Sequence, residues 1–158
     1  LALQAVPDVN IHLVQDEIRR FRQVNLAMAV ATDRGIITPV IHKADALTMV
    51  ELASEAVALG LRARDASLTR EDLENGTFTV SNLGMYGISE FQAIINPPQG
   101  AILALGACEE RLVPGADAAR TARMMRATLS CDHRAIDGVL GAQFLSELKA
   151  ALQNPAGL

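Results

Sequence analysis

The chain has 158 residues, half of them apolar, with 14 Lys and Arg against 18 Asp and Glu for a formal net charge of −4. Length and hydropathy support one domain with a substantial core, and they exclude disorder. With no basic stripe to neutralise phosphates, 3% aromatic residues, no apolar run of membrane-spanning length and only Cys108 and Cys131, the composition excludes nucleic-acid binding, a membrane span and a disulfide framework, and it favours a reducing compartment.

The chain opens on the apolar stretch Leu1 to Val6 without an initiator Met. It reads as the end of a helix already under way, in a fragment of a longer polypeptide. Pro7-Asp8-Val9-Asn10 breaks that helix. Val24 to Ala31 is mostly apolar and predicts a buried strand, Asp33-Arg34-Gly35 a turn, and Ile36 to Ile41 a second strand, together a hairpin. Pro39 cannot donate to a ladder, which places it at an edge or a bulge. Leu47 to Ala63 predicts a long amphipathic helix with Leu47, Val50, Leu52, Val57, Leu59 and Leu61 as its apolar positions and Asp45 or Thr48 as its cap. Thr69-Arg70-Glu71-Asp72 resembles a capping box that opens a short turn, closed by Asn75-Gly76.

Thr77 to Asn82 alternates like a strand and runs into the glycine-punctuated Leu83-Gly84-Met85-Tyr86-Gly87. Asn96 to Gly100 is a rigid loop, Ala101 to Gly106 a buried strand, and Glu109-Glu110-Arg111 a solvated hairpin end. Pro114-Gly115-Ala116-Asp117 is a turn, and Arg123 to Cys131 a further strand that holds Met124 and Met125 as packed residues. Val139 to Leu152 is a helix stopped by Asn154-Pro155. Hairpins outnumber regular βαβ crossovers in this pattern, so the fold class is α+β with a largely antiparallel or mixed sheet.

Chemistry concentrates in Asp132-His133-Arg134-Ala135-Ile136-Asp137-Gly138, between a strand and a helix. An imidazole there can take or give a proton near neutral pH, with Asp132, Arg134 and Asp137 orienting it or holding the loop. The same residues also describe a capped turn with an incidental histidine and an Arg–Asp pair. Ser81, at the end of an apolar strand, can donate to a developing oxyanion or serve as a nucleophile; Ser81-Asn82 equally reads as a plain turn. Cys131 and His133 would share a face of an extended strand, which suggests a Cys–His nucleophile, against the commoner buried cysteine. A metal site from Asp132, His133 and Asp137 is disfavoured, because three ligands so close in sequence rarely converge. His12 and His42 are isolated and read as surface or structural residues.

Ser130 to Gly138 is similar to the DHRxxDG signature of the dihydrolipoamide acyltransferases, the E2 cores of 2-oxo acid dehydrogenase complexes. Gly35 to Val40, Gly76 to Gly87 and Ile95 to Pro98 agree with the same family in the same order. The resemblance implies a chloramphenicol-acetyltransferase-like fold, a mixed sheet flanked by helices, with residues 1–158 forming a single, N-terminally partial catalytic domain. It implies a homotrimer with its active site at the interface, built into a larger cubic or dodecahedral core. It implies acyl transfer from S-acyl-dihydrolipoamide to coenzyme A, with the lipoamide carried on a separate lipoyl domain and the E1 and E3 components bound through further domains. By position, His133 matches the family's general base, Ser81 the hydroxyl that steadies the oxyanion, and Asp137 a carboxylate that organises the site through an ion pair with an arginine from a segment before Leu1. Coenzyme A contacts are not assigned. The run Ser81 to Gly87 resembles the pyruvate, acetyl-transferring branch; an acetoin-complex E2 or a non-catalytic scaffold chain are the alternatives. The compartment implied is the bacterial cytoplasm, or the mitochondrial matrix in a eukaryote.

Overall fold

The computed structural model describes residues 1–115 and 118–154; Ala116, Asp117 and Pro155, assigned above to a turn and a helix stop, lie outside the described residues. The apolar opening forms a short helix, α1 (Ala2–Ala5), followed by a 3-10 turn over Pro7–Val9. Next comes a ribbon that the sequence pattern does not announce: β1 (Ile11–Val14) pairs antiparallel with β2 (Glu17–Arg20) around Gln15. All four residues of β2 are exposed, so no apolar alternation marks them.

The two strands predicted between Val24 and Ile41 are each cut in two. β3 (Leu26–Met28) enters the main sheet, while β4 (Val30–Thr32) turns out of it and pairs with β5 (Gly35–Ile37) across the expected Asp33-Arg34 turn. Beyond Thr38-Pro39 the chain returns to the main sheet as its edge strand, β6 (Val40–Ile41), paired with β3. Pro39 occupies the break, where a missing amide costs nothing, and its carbonyl still accepts from the Met28 amide at 2.8 Å.

The helix α2 (Met49–Arg64) is capped by Thr48. The Thr48 hydroxyl accepts from the Glu51 amide at 3.3 Å, and the Glu51 carboxylate accepts from the Thr48 amide at 2.8 Å. Asp45 does not cap; its carboxylate accepts from the Val24 amide at 2.9 Å and ties the helix entry to the sheet. Leu52, Ala56, Leu59 and Ala63 face the core. Val50, Val57 and Leu61, predicted as part of the apolar face, are exposed on nearly the opposite side of the helix. Two apolar stripes coexist here, and spacing alone does not choose between them. The Thr69–Asp72 box closes reciprocally, with the Asp72 carboxylate accepting from the Thr69 amide at 2.8 Å and the Thr69 hydroxyl accepting from the Asp72 amide at 3.3 Å.

β7 (Phe78–Asn82) and β8 (Ala101–Leu105) follow as predicted. Glu109-Glu110-Arg111 is not a hairpin end: it opens β9 (Glu109–Val113), which pairs with β10 (Arg120–Met124). The predicted Arg123 to Cys131 strand divides at Met125-Arg126 into β10 and β11 (Ala127–Cys131), and α3 (Gly138–Gln153) ends the described chain.

The main sheet has the order β11-β8-β7-β3-β6. Its inner pairs β7–β8 and β3–β7 are parallel and its outer pairs antiparallel, so the sheet is mixed. The route from β3 to the parallel β7 runs through α2 and is a crossover, contrary to the preference for hairpins. Alternation divides the sheet faces. Leu26, Met28, Phe78, Val80, Ala101, Leu103, Leu129 and Cys131 share the face that packs on the helices, where the Phe78 and Phe144 ring centroids lie 5.5 Å apart. Thr79, Ser81, Ile102, Ala104 and Ser130 occupy the other face. Gly106 follows β8 directly, and a side chain there would put its Cβ 2.0 Å from the Ser89 carbonyl oxygen.

Candidate active site

His133 sits in the turn between β11 and α3, and that turn is anchored at both ends. The Asp132 amide donates to the Gly100 carbonyl at 2.8 Å, and the Asp132 carbonyl accepts from the amides of Ala135 and Ile136 at 3.0 and 2.9 Å. Ile136 is fully buried. Asp137 caps α3, its Oδ1 accepting from the Leu140 amide at 2.8 Å. Between these anchors the side chains of His133 and Arg134 point outward. Arg134 folds back on Asp132: Nε meets Oδ1 at 3.0 Å, Nη2 meets Oδ2 at 2.6 Å, and the Arg134 amide donates to Oδ1 at 3.1 Å. The guanidinium holds the Asp132 carboxyl below the usual carboxylate range. The capped turn and the Arg–Asp pair of the plainer reading are therefore both present, and they frame His133, which makes no hydrogen bond among the described residues.

Ser81 is half-buried near the end of β7, on the sheet face turned away from the helices. Among the described residues its hydroxyl has no protein partner. Asn82 is occupied: its Oδ1 accepts from the Gly84 amide at 2.8 Å and fixes the turn that follows. Gly84 is needed there, since a Cβ would stand 2.8 Å from the Gly106 carbonyl oxygen.

The sheet register separates the two residues. Ser81 lies opposite Ala104, near one end of β8, while Cys131 lies opposite Ala101, at the other end, and His133 continues past it. Two strand spacings across and several residues along put the two backbones well over ~10 Å apart, beyond the reach of a shared hydrogen bond. A single chain therefore does not bring Ser81 and His133 together.

The Cys–His pairing is overturned. β11 ends at Cys131, whose Sγ turns to α3, 3.8 Å from where a Cβ on Gly141 would stand, and burial pushes its thiol pKa up. His133 belongs to the turn and shares no strand face with it. Asp137 is an exposed cap, with no ion-pair partner among the described residues. No group of three His, Cys, Asp or Glu side chains among the described residues is placed to hold a metal. His12 and His42 are structural. Nε2 of His12 donates to the Gly76 carbonyl at 2.9 Å with its ring edge-on to Phe21, and Nε2 of His42 donates to the Glu71 carbonyl at 3.0 Å.

The sequence pattern does not single out Thr79, two residues before Ser81 on the same strand, or its partner Gln99, yet both are buried. The Thr79 hydroxyl donates to the Gln99 Oε1 at 2.5 Å, and the Gln99 amide nitrogen donates to the Gly76 carbonyl at 3.1 Å. The available signal is the period of two, which places Thr79 on the face of Ser81.

Residues 1–158 match the family described as 2-oxoacid dehydrogenases acyltransferase (catalytic domain). The chain belongs to this family. It is 44% identical over 155 residues to the dihydrolipoyllysine-residue acetyltransferase component of the pyruvate dehydrogenase complex of Rickettsia bellii, covering 98% of this chain and 37% of that protein. The chain thus spans about a third of the length of the curated relatives it matches. Among solved structures of the acyltransferase family, the Azotobacter vinelandii dihydrolipoamide acetyltransferase superposes with a TM-score of 0.90 at 34% identity, covering 95% of this chain and 63% of that one. The cubic core of the pyruvate dehydrogenase multienzyme complex superposes with a TM-score of 0.90 at 33% identity and the same coverage. Chloramphenicol acetyltransferase shares the fold, with a TM-score of 0.54 at 12% identity. Among the described residues of this acyltransferase domain no helix is long and apolar enough to cross a membrane.

Proposed function

We propose that this domain transfers an acyl group, acetyl being the favoured one, between S-acyl-dihydrolipoamide and coenzyme A, with His133 as general base. A thiol ordinarily keeps its proton at neutral pH and is then a weak nucleophile. His133 takes the coenzyme A thiol proton as the sulfur adds to the thioester carbonyl. The Ser81 hydroxyl donates to the oxyanion of the tetrahedral intermediate. The carbon–sulfur bond to dihydrolipoamide then breaks, and the proton held on the imidazole passes to the departing thiolate. No bond to the protein forms.

The observation that carries this reading is the exposed His133 on a turn anchored at both ends, together with its separation from Ser81. The two halves of the chemistry sit well over ~10 Å apart at opposite ends of one sheet, so a second copy supplies the missing partner. A homotrimer, with each site shared between neighbours, satisfies this, and the trimers build a larger core like the cubic one of the related complex. The lipoamide arrives on a separate lipoyl domain, and the E1 and E3 components engage other parts of the full protein. The Azotobacter vinelandii enzyme supports the assignment. It has been studied for the role of a serine, a histidine and an asparagine in its catalytic mechanism, and those three are spaced along its chain as Ser81, His133 and Asp137 are here. In Asp137 this chain carries an acid where that enzyme carries an amide.

The test is thioester exchange between acetyl-coenzyme A and dihydrolipoamide, run on wild type and on His133→Ala. Turnover in the wild type that His133→Ala abolishes supports the base, and equal turnover in both rejects it.

A further inference from the structure

We infer that Asp132 and Arg134 are positioning residues that hold the His133 imidazole at its reactive angle. This inference rests on His133 acting as the base. Among the described residues the imidazole makes no hydrogen bond, so its placement depends on the backbone that carries it. That backbone is gripped by one carboxylate. Asp132 accepts from the Arg134 amide at 3.1 Å, from Nε at 3.0 Å and from Nη2 at 2.6 Å, which closes a ring of bonds across the residue that carries the imidazole. The Asp132 amide and carbonyl meanwhile tie Asp132 itself to Gly100, Ala135 and Ile136. A bidentate guanidinium–carboxylate pair specifies geometry more tightly than a single bond between flexible groups.

Stability does not account for this arrangement. The Arg134 side chain is 71% exposed and that of Asp132 22%, and an ion pair open to solvent on its cationic side contributes little to folding. What the pair constrains is the local backbone, and displacing a reacting group by ~1 Å can cost about a hundredfold in rate. The same guanidinium holds the Asp132 carboxyl below the usual carboxylate range, so the acceptor of the clamp is the charged form.

The test is steady-state acetyl transfer in the full protein, comparing wild type, His133→Ala, Asp132→Asn, Arg134→Gln, Arg134→Lys and the Asp132→Asn/Arg134→Gln double variant. The expected result is a kcat loss of about tenfold to a hundredfold in Asp132→Asn and in Arg134→Gln, with KM for both substrates within about threefold of wild type. Arg134→Lys recovers part of the rate, and the double variant loses no more than the worse single one, because both remove one clamp. Thermal midpoints stay within about 3 °C of wild type. A kcat within twofold of wild type in either single variant overturns the clamp, as does a loss that tracks a lowered midpoint or a broken assembly. If His133→Ala retains wild-type turnover, the base assignment fails instead, and the two failures are distinguishable.

Discussion

Oδ1 of Asp137 accepts the Leu140 amide at 2.8 Å and so closes the first turn of α3, directly below the turn that displays His133. A helix cap needs an acceptor oxygen and no charge. Asp137→Asn is expected to keep both stability and turnover near wild type, whereas Asp137→Ala costs about 1 kcal/mol of folding free energy. Thermal unfolding beside a kinetic assay checks both, and a large activity loss in Asp137→Asn would show that the carboxylate acts by its charge.

Ser81 is half-buried and its hydroxyl carries no hydrogen bond among the described residues, so Ser81→Ala leaves the hydrogen bonds of the fold in place. We expect kcat to fall about 10²- to 10³-fold with the unfolding midpoint unchanged, measured by acetyl transfer and scanning calorimetry.

The separation of Ser81 from His133 leads to a complementation experiment. Ser81→Ala and His133→Ala chains are each expected to be strongly impaired alone. Unfolded together and refolded as mixed assemblies, they regain activity at interfaces that pair an intact Ser81 with an intact His133. Mixtures as inactive as the parents would place the whole site within one copy.

Cys131 and Cys108 differ in environment. Burial raises the Cys131 thiol pKa, while Cys108 is exposed. Alkylation by iodoacetamide at pH 8, followed by mass spectrometry, is expected to label Cys108 well before Cys131, because the thiolate is the reacting form and Cys131 is both less ionised and less accessible.

Among the described residues four carboxyls are held below their ordinary values: Glu51 chiefly by the Thr48 amide, Asp72 by the Thr69 amide, Glu109 by Arg111 and Asp132 by Arg134. A depressed folded-state value means that the unfolded chain binds protons first as pH falls. The stabilisation is complete above the ordinary values of 4.5 for glutamate and 3.8 for aspartate and is lost as pH drops through the lowered ones. Urea midpoints are expected to stay level from pH 7 to about 5 and then decline, with a shallower decline in Asp72→Ala.

Local chemistry made part of this legible in the sequence. A threonine three residues before an acid caps α2 and closes the Thr69–Asp72 turn, because both partners lie within one turn of backbone. The strand ending at Ser81 and the polar turn at His133 stand out because polar residues interrupt apolar runs there, and the four ordered motifs pointed to the family. The sequence also located most extended backbone, including the stretches around Pro39 and Met125.

Tertiary structure decided the rest. Whether Val30 continues β3 or leaves it for β5, and whether Arg123 belongs with Cys131, depends on which distant strand offers its free amides and carbonyls, and the residues in question do not encode that choice. The face of α2 that meets the sheet was likewise set by packing, since two apolar stripes compete. Only the register of β7 and β11 on β8 shows that Ser81 and His133 lie at opposite ends, because strand pairing joins residues far apart in the chain and fixes their relative height. The sequence supplies Ser81 and His133, and the sheet decides that one copy holds them apart.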